Sequence, residues 1–221
     1  MIALISDIHG NYVALAEVLS AIEGLNVDAI YCLGDVVGYY PQVNECCEAL
    51  QRRSVQSVLG NHDWHMISGT SCPRSNTAND CLQYQRKIIT EANLAWIASF
   101  PVYRKIGELA VVHGGWSNPL DEYLTPTEEQ FRVMPDRYCA SGHTHKQLIS
   151  NCVDKVYCNP GSVGQPRDGD NRTAFATFDG QEFRLFRIHY DIDRACQVMA
   201  QAGFNSYYYN RLRTGAAHFS L

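Results

Sequence analysis

Five of the eight histidines in this chain fall within five short polar motifs: Asp7-x-His9, Gly34-Asp35, Gly60-Asn61-His62-Asp63, His113 and Gly142-His143-Thr144-His145. These donors suit transition-metal ions: imidazole binds Zn, Fe and Ni, and carboxylate and amide oxygens extend the range to Mn and Mg. Each motif follows a short apolar run (Ile2–Ile5, Ala29–Leu33, Val55–Leu59, Leu109–Val112 and Tyr138–Ser141), bounded by Gly or polar residues as buried strands are. Positions two apart in extended chain point the same way, so Asp7 with His9, and His143 with His145, can each grip one metal region. Asp35 is the natural bridge. A carboxylate between two dications about 3.5–4 Å apart reduces their repulsion and fixes the spacing that dinuclear hydrolases use to activate water. Gly10, Gly34, Gly60, Gly114 and Gly142 flank these residues and suit tight turns or close backbone approach.

The elements that must position these groups read as α/β. Ligands of open α/β sheets collect at the carboxyl ends of strands, and all five motifs follow their strands, so one sheet edge can deliver them all. Tyr12–Ile22 is apolar at helical spacing and closes at Gly24, and Pro41–Arg52 is a second helix. Strands alternating with helices predict parallel pairing through helical crossovers. Residues 67–76, with Gly69 and Pro73, read as a surface loop beside the Asn61-His62 motif. Two helical stretches, 79–89 and 91–99, precede a hairpin turning at Gly107-Glu108. Thr125-Pro126-Thr127-Glu128 reads as a capping box with proline at the first helical position. The remainder is β-rich (147–152, 156–159, 173–179 and 182–190), which two packed sheets would accommodate. Residues 1–221 form a single predicted domain without linker or repeat, and 191–221 form a C-terminal helix and tyrosine-rich tail.

The chain of 221 residues is long enough to bury one sizeable core. Its formal net charge of −5 argues against nonspecific binding of duplex nucleic acid, but not against a small phosphorylated substrate, because bound dications make a site locally positive. The start of the chain lacks a secretory pattern and no run reaches membrane-spanning length, so the expected location is cytoplasmic, with no membrane partner. Nine scattered cysteines without a Cys-x-x-Cys pair read as small buried thiols.

Taken together, the motifs resemble those of the calcineurin-like metallophosphoesterase superfamily: Asp-x-His, Gly-Asp, Gly-Asn-His-Asp/Glu, His and Gly-His-x-His. The similarity extends to the small bacterial phosphodiesterase and diadenosine tetraphosphatase-like branch, through Gly34-Asp35-Val36-Val37-Gly38-Tyr39 and Asn159-Pro160-Gly161-Ser162-Val163-Gly164, and covers about residues 2–190. It implies a four-layer α/β/β/α sandwich of two mixed sheets. It also implies two divalent transition-metal ions, manganese foremost with Fe, Ni or Zn as alternatives. Asp7, His9, Asp35 and His145 would hold one ion; Asp35, Asn61, His113 and His143 would hold the other. His62 then lies beside the phosphate, to stabilise charge or protonate the departing alkoxide, with Asp63 orienting its ring.

The implied activity is phosphoesterase action on a small phosphodiester, nucleotide or phosphomonoester, by in-line attack of a metal-bridging hydroxide without a phosphoenzyme. The alternatives are a dinucleoside polyphosphate hydrolase and a silent scaffold of the same fold. Arg167 and Arg172 are candidates to grip a second phosphate, against a reading as solvated loop charges. Asn11 reads as a helix cap, His65 as an exposed loop residue, and Trp116 and Tyr123 as either base-stacking or packing aromatics. Tyr207, Tyr208 and Tyr209 suit a homo-oligomer interface or packing on their own domain.

Overall fold

The computed structural model describes residues 1–152 and 154–216; the last part of the expected tail lies outside the described residues. Ten strands form two five-stranded mixed sheets. The first sheet runs β10 (Phe183–Ile188), β9 (Thr173–Phe178), β1 (Ile2–Ile5), β2 (Ala29–Cys32), β3 (Gln56–Ser57). The second runs β4 (Tyr103–Ile106), β5 (Leu109–Val112), β6 (Tyr138–Ala140), β8 (Lys155–Asn159), β7 (Leu148–Cys152). β1–β2–β3 and β5–β6–β8 are parallel, while β9, β10, β4 and β7 pair antiparallel.

Alternation of side chains along the strands assembles the layers. Leu4 of β1 faces the second sheet and packs with Leu109, Val111, Tyr138, Ala140 and Cys158. Its neighbours Ala3 and Ile5 face the other way, onto α1 (Tyr12–Glu23) and α2 (Val43–Arg52). Likewise Ala110, Cys139 and Tyr157 face outward under Phe131 of α6 (Glu128–Val133). The result is the expected helix, sheet, sheet, helix stack, whose inner layer excludes water because each sheet offers it an apolar face.

α1 begins where Asn11 accepts the amide of Ala14 at 3.2 Å, the capping role expected of it. It buries Ala14, Leu15, Val18, Leu19 and Ile22, one helical stripe. α4 (Asn76–Ile88), α5 (Glu91–Ala98), the β4–β5 hairpin and α7 (Ile192–Gln201) match the predicted segments to within a few residues. All nine cysteines are free, and Cys152 alone is not buried. Among the described residues no helix is long and apolar enough to cross a membrane.

Three expectations need correction. The five ligand-bearing loops leave two sheets, not one: β1, β2 and β3 in the first, β5 and β6 in the second. Gly60-Asn61-His62-Asp63 is not a loop, because Asn61, His62 and Asp63 form the first turn of α3 (Asn61–Ser68). The helix after Thr125 starts two residues late: Thr127 caps it by accepting from Gln130, and the Thr127 amide bonds the carbonyl of Thr125. Pro126 therefore stays in the preceding loop.

Candidate metal centre and active site

Two groups of inward-facing donor atoms meet where the carboxyl edges of the two sheets coincide, with a third overlapping both. Asp7, His9 and His145 form one, and Asp35, His113 and His143 the other, with the ligand atoms of each within 4.8 Å of one another; His9, Asp35 and His62 form the overlapping set. Asp35 stands between them. Its Oδ2 is 3.7 Å from His9 Nε2 and 3.3 Å from His113 Nε2. Its Oδ1 accepts the backbone N–H of His62 at 2.9 Å, which fixes the carboxylate plane.

The tautomers decide what the groups can hold. His9 Nδ1 donates to the Val37 carbonyl (2.9 Å), His145 Nδ1 to the Gln165 carbonyl (2.6 Å) and His113 Nδ1 to the Leu33 carbonyl (2.7 Å). A carbonyl only accepts, so each Nδ1 carries its proton, and each ring when neutral aims an Nε2 lone pair inward. His9 Nε2 and His145 Nε2 then face each other at 3.1 Å, with Asp7 Oδ1 3.3 Å from the latter. In the second group His113 Nε2 faces Asn61 Oδ1 at 3.1 Å and His143 Nδ1 at 3.2 Å. Buried acceptors crowded without donors repel one another unless a cation lies among them. Asp7 Oδ1 has no hydrogen-bond partner at all. The residues therefore fit a pair of metal ions.

In the free site the same crowding redistributes protons. Burial pushes His9 and His145 well below the ordinary imidazole range, and burial with His113 lowers His143 to about 2. Burial alone would lower His113 too, but the carboxylates of Asp35 and Asp7 outweigh it and raise it to about 10. Asp35 is held well below the carboxylate range, since the imidazoles of His113, His62 and His9 outweigh its burial. Burial raises Asp7 to about 7. His113 as imidazolium thus balances Asp35.

Local backbone geometry is unusual here. Asp7, His9, Asp35, His143 and His145 all have φ between 54° and 65°, a left-handed region that costs L-residues about 1–2 kcal/mol each. Such strain persists only where surrounding structure over-determines it. Ser162 Oγ–H donates to the Asp7 carbonyl (2.8 Å), Val163 and Gly164 amides bond the Ser6 and Asp7 carbonyls, and Asn11 Nδ2–H donates to Gly164. The Asn159-to-Gly164 segment is therefore the brace of the first motif. Gly60 is required by close approach, since a Cβ there would collide with the backbone N and carboxylate of Asp35.

Asp63 plays a part different from the one expected. Its carboxylate accepts four backbone N–H groups, from Asp35 (2.8 Å), Val36 (3.0 Å), Val37 (3.2 Å) and Gly60 (3.0 Å). Both oxygens are thereby committed to the Asp35 loop and to Gly60, and His62 Nδ1 is left without a partner. The Asp63 side chain orders the loop that presents Asp35, and does not orient the His62 ring. His62 is 5% exposed, packs its ring against His9 and Tyr39, and borders the cavity.

That cavity, about 1160 Å³, opens onto Asp35, Asn61, His62, His143 and His145. Arg167 lines it and donates to the Tyr39 hydroxyl at 3.2 Å. Arg172 does not line it; its guanidinium is taken up by Asp170, with Nη2 to Oδ2 at 2.6 Å. Tyr123 lies against His143, ring centroids 4.2 Å apart, whereas Trp116 packs on Tyr157. His65 is bonded to Thr70 on the exposed loop. Arg74, Asp121, Lys146 and Arg211 are not singled out by the sequence, because isolated residues carry no spacing signal, and Tyr39 enters there only as the end of the Gly34–Tyr39 stretch. Of these, Asp121 comes within 3.6 Å of His143 Nε2 and is also paired with Arg74.

The sequence profile described as the calcineurin-like phosphoesterase superfamily domain matches residues 1–182. The chain belongs to this superfamily. It is 33% identical over 224 residues to an uncharacterised protein of Methanocaldococcus jannaschii, covering 91% of this chain and 92% of that one. It is 32% identical to a symmetrical bis(5'-nucleosyl)-tetraphosphatase of Paracidovorax citrulli, over 71% of this chain and 66% of that one. The crystal structure of a metallophosphoesterase from Sphaerobacter thermophilus aligns with a TM-score of 0.85 at 32% identity, over 97% of this chain and 98% of that one. A Pyrococcus horikoshii protein shares the fold, with a TM-score of 0.86 at 21% identity over 99% of this chain and all of that one. As a calcineurin-like phosphoesterase, the chain is a phosphoric ester hydrolase.

Proposed function

We propose that this hydrolase works through two divalent transition-metal ions, manganese foremost with Fe, Ni or Zn as alternatives, on a small phosphodiester, nucleotide or phosphomonoester. The observation that carries the reading is the convergence of imidazole nitrogens of His9, His113, His143 and His145 with carboxylate oxygens of Asp7 and Asp35 where the two sheet edges meet. Asp7, His9, Asp35 and His145 would hold one ion, and Asp35, Asn61, His113 and His143 the other. When bound, the ions supply Lewis acidity and lower the pKa of bound water from 15.7 towards about 7.

The other roles fall to the chain's own side chains. Asp35 keeps the two half-sites in register, with its loop tied down by Asp63. His62 is pushed down to about 4 by its burial and is neutral in the free site, so it meets an arriving phosphoryl group as a hydrogen-bond donor. Arg167 supplies a fixed positive charge at the cavity wall. Helix α3 directs its N-terminus, and hence the positive end of its dipole, towards the same anion.

A second reading, hydrolysis of a dinucleoside polyphosphate, is favoured by the cationic lining of the cavity and by the activity that names the Paracidovorax citrulli relative. A scaffold without turnover is disfavoured by the complete donor set. The test is metal-free protein reloaded separately with Mn, Ni, Zn, Fe or Mg and assayed on chromogenic mono- and diesters and on diadenosine tetraphosphate, with metal content measured in parallel. Turnover with close to two ions per chain is expected. No turnover on any substrate at full loading would sink the enzyme reading, and turnover with a single ion would sink the dinuclear one.

A further inference from the structure

The residues lining the cavity include one carboxylate, Asp35, against four cationic side chains, Arg74, Lys146, Arg167 and Arg211, on a chain of net charge −5. Arg74 is neutralised by Asp121. Among the described residues no carboxylate lies within ion-pair distance of Arg167 or Arg211, in contrast to Arg172, which Asp170 saturates. Arg167 reaches only neutral acceptors, Gln165 Oε1 at 2.8 Å and the Tyr39 hydroxyl at 3.2 Å, and lies over the Tyr39 ring. The Arg211 Nε is enclosed and has no hydrogen-bond partner. Both residues line the same cavity, as does Tyr39.

Arg211 comes from outside the matched phosphoesterase domain, which ends at residue 182. After α7 the chain makes two short 3₁₀ turns, Ser206–Tyr208 and Asn210–Arg213. Leu212 is buried, Tyr208 and Tyr209 pack with Tyr39, Tyr40, Cys72 and Cys81, and the Tyr208 hydroxyl donates to Asp80 of α4 at 2.7 Å. The tail is thus fixed on the loop that carries Tyr39, and this puts Tyr207 and Arg211 on the cavity wall. Arg167 is tied to the catalytic edge, since its backbone N–H bonds the His145 carbonyl at 3.1 Å. An uncompensated guanidinium pair beside a phosphoryl site matches the planar, bidentate geometry of phosphate oxygens, and a ligand oxygen would also satisfy the stranded Nε.

We propose that Arg167 and Arg211 form a second anion subsite, built jointly by the domain and its C-terminal tail, that takes a phosphoryl group beyond the scissile one. The substrate class is then a phosphoanhydride chain of the nucleoside polyphosphate kind, preferred over phosphomonoesters. This rests on the phosphoesterase reading above and makes the tail the element that sets substrate length. Arg172 has no part in the subsite.

The experiment compares wild-type holoenzyme with Arg211→Gln, Arg211→Lys and Arg167→Gln. For each, kcat/KM is measured on diadenosine tetraphosphate, inorganic tripolyphosphate and p-nitrophenyl phosphate, with metal content and thermal midpoint as controls. The ratio of kcat/KM on diadenosine tetraphosphate to that on p-nitrophenyl phosphate is expected to fall about tenfold in Arg211→Gln, chiefly through KM, as the loss of one charge-assisted contact to phosphate predicts. Arg211→Lys is expected to recover part of the ratio. An equal loss on tripolyphosphate would identify the bare phosphate chain as the ligand, and a loss confined to the dinucleotide would identify the nucleotide. Calorimetric binding of a methylene-bridged diadenosine tetraphosphate analogue reads the subsite even without turnover, and a Kd unchanged in both Gln variants with metals retained would overturn it. An inactive wild type that nevertheless binds the analogue through Arg211 would fault the enzyme reading and leave the subsite standing.

Discussion

The two halves of the donor cluster are built to different standards of rigidity. In the half formed by Asp7, His9 and His145, both imidazoles are locked by Nδ1–H bonds to backbone carbonyls, and Asp7 Oδ2 is held by the Ser6 hydroxyl (2.7 Å) and the His143 amide (3.0 Å). Only the metal-facing atoms are left free. In the half formed by Asn61, His113 and His143, His113 is locked in the same way, but His143 turns its Nδ1 inward and leaves Nε2 without a hydrogen bond. The nearest carboxylate to that nitrogen, Asp121, sits at 3.6 Å, beyond hydrogen-bond length, and is shared with Arg74. Outer hydrogen bonds fix ring orientation and basicity of metal-binding histidines. The first half is accordingly the more rigidly held one.

Asp35→Asn is the most severe test of this picture, because both halves depend on that carboxylate. The loss of several kcal/mol of charge stabilisation should cut kcat/KM by about 10³-fold or more, with elemental analysis finding at most one ion per chain. A fully active variant would refute the bridge. His62→Ala leaves the ions in place and removes a donor to the phosphoryl group, so turnover should fall about 10²-fold or more, most for poor leaving groups. Equal rates on every substrate would remove His62 from the chemistry.

Asymmetry between the halves is tested by calorimetric titration of metal into the free protein. Two steps are expected, the tighter at Asp7, His9 and His145. Asp121→Asn should weaken the second step by about tenfold and leave the first unchanged, the range seen when an outer partner of a ligand is lost. One step, or a loss in the first, would contradict the assignment.

The smallest effect is the pH dependence of the metal-free protein. His113 and Asp7 bind protons more tightly folded than unfolded, at about 10 against 6.5 and about 7 against 3.8. A folded pKa raised in this way contributes stability that is present below the unfolded value and lost as pH rises through the folded one. The thermal midpoint in excess chelator should therefore decline from pH 7 to 10 through His113, whereas between pH 4 and 6.5 the loss through Asp7 is opposed by His9, His62, His143 and His145, whose lowered folded values favour the folded state as pH rises. Added metal should reverse the decline, since ions bind the deprotonated forms. A midpoint that climbs between pH 7 and 10 in chelator would show that His113 does not hold its proton.

Much of the site is legible in sequence for a local reason. Asp7-x-His9 and His143-x-His145 each bring two candidate ligands from one loop, so spacing alone announces them. The strand and helix periods likewise report which residues face a core. Arg167 and Arg172 show where that legibility ends: both follow the same loop, and only their neighbours, Tyr39 for one and Asp170 for the other, separate a cavity residue from a saturated surface pair. Asp63 is a similar case. Adjacent to His62 in sequence, it spends its oxygens on four amides, three of them more than twenty residues away.

The chain's order of residues determined which elements form, which groups could bind metal, and that strand ends would present them. Tertiary structure alone decided that two sheets, not one, bring their edges together, that each imidazole shows Nε2 or Nδ1, and that a tail beyond the matched domain reaches the cavity. The physical reason is range. Periodicity and capping act over a few residues, whereas the acceptor that fixes a tautomer, such as the Leu33 carbonyl for His113, lies 80 positions away in the chain and is chosen only when the two sheets pack.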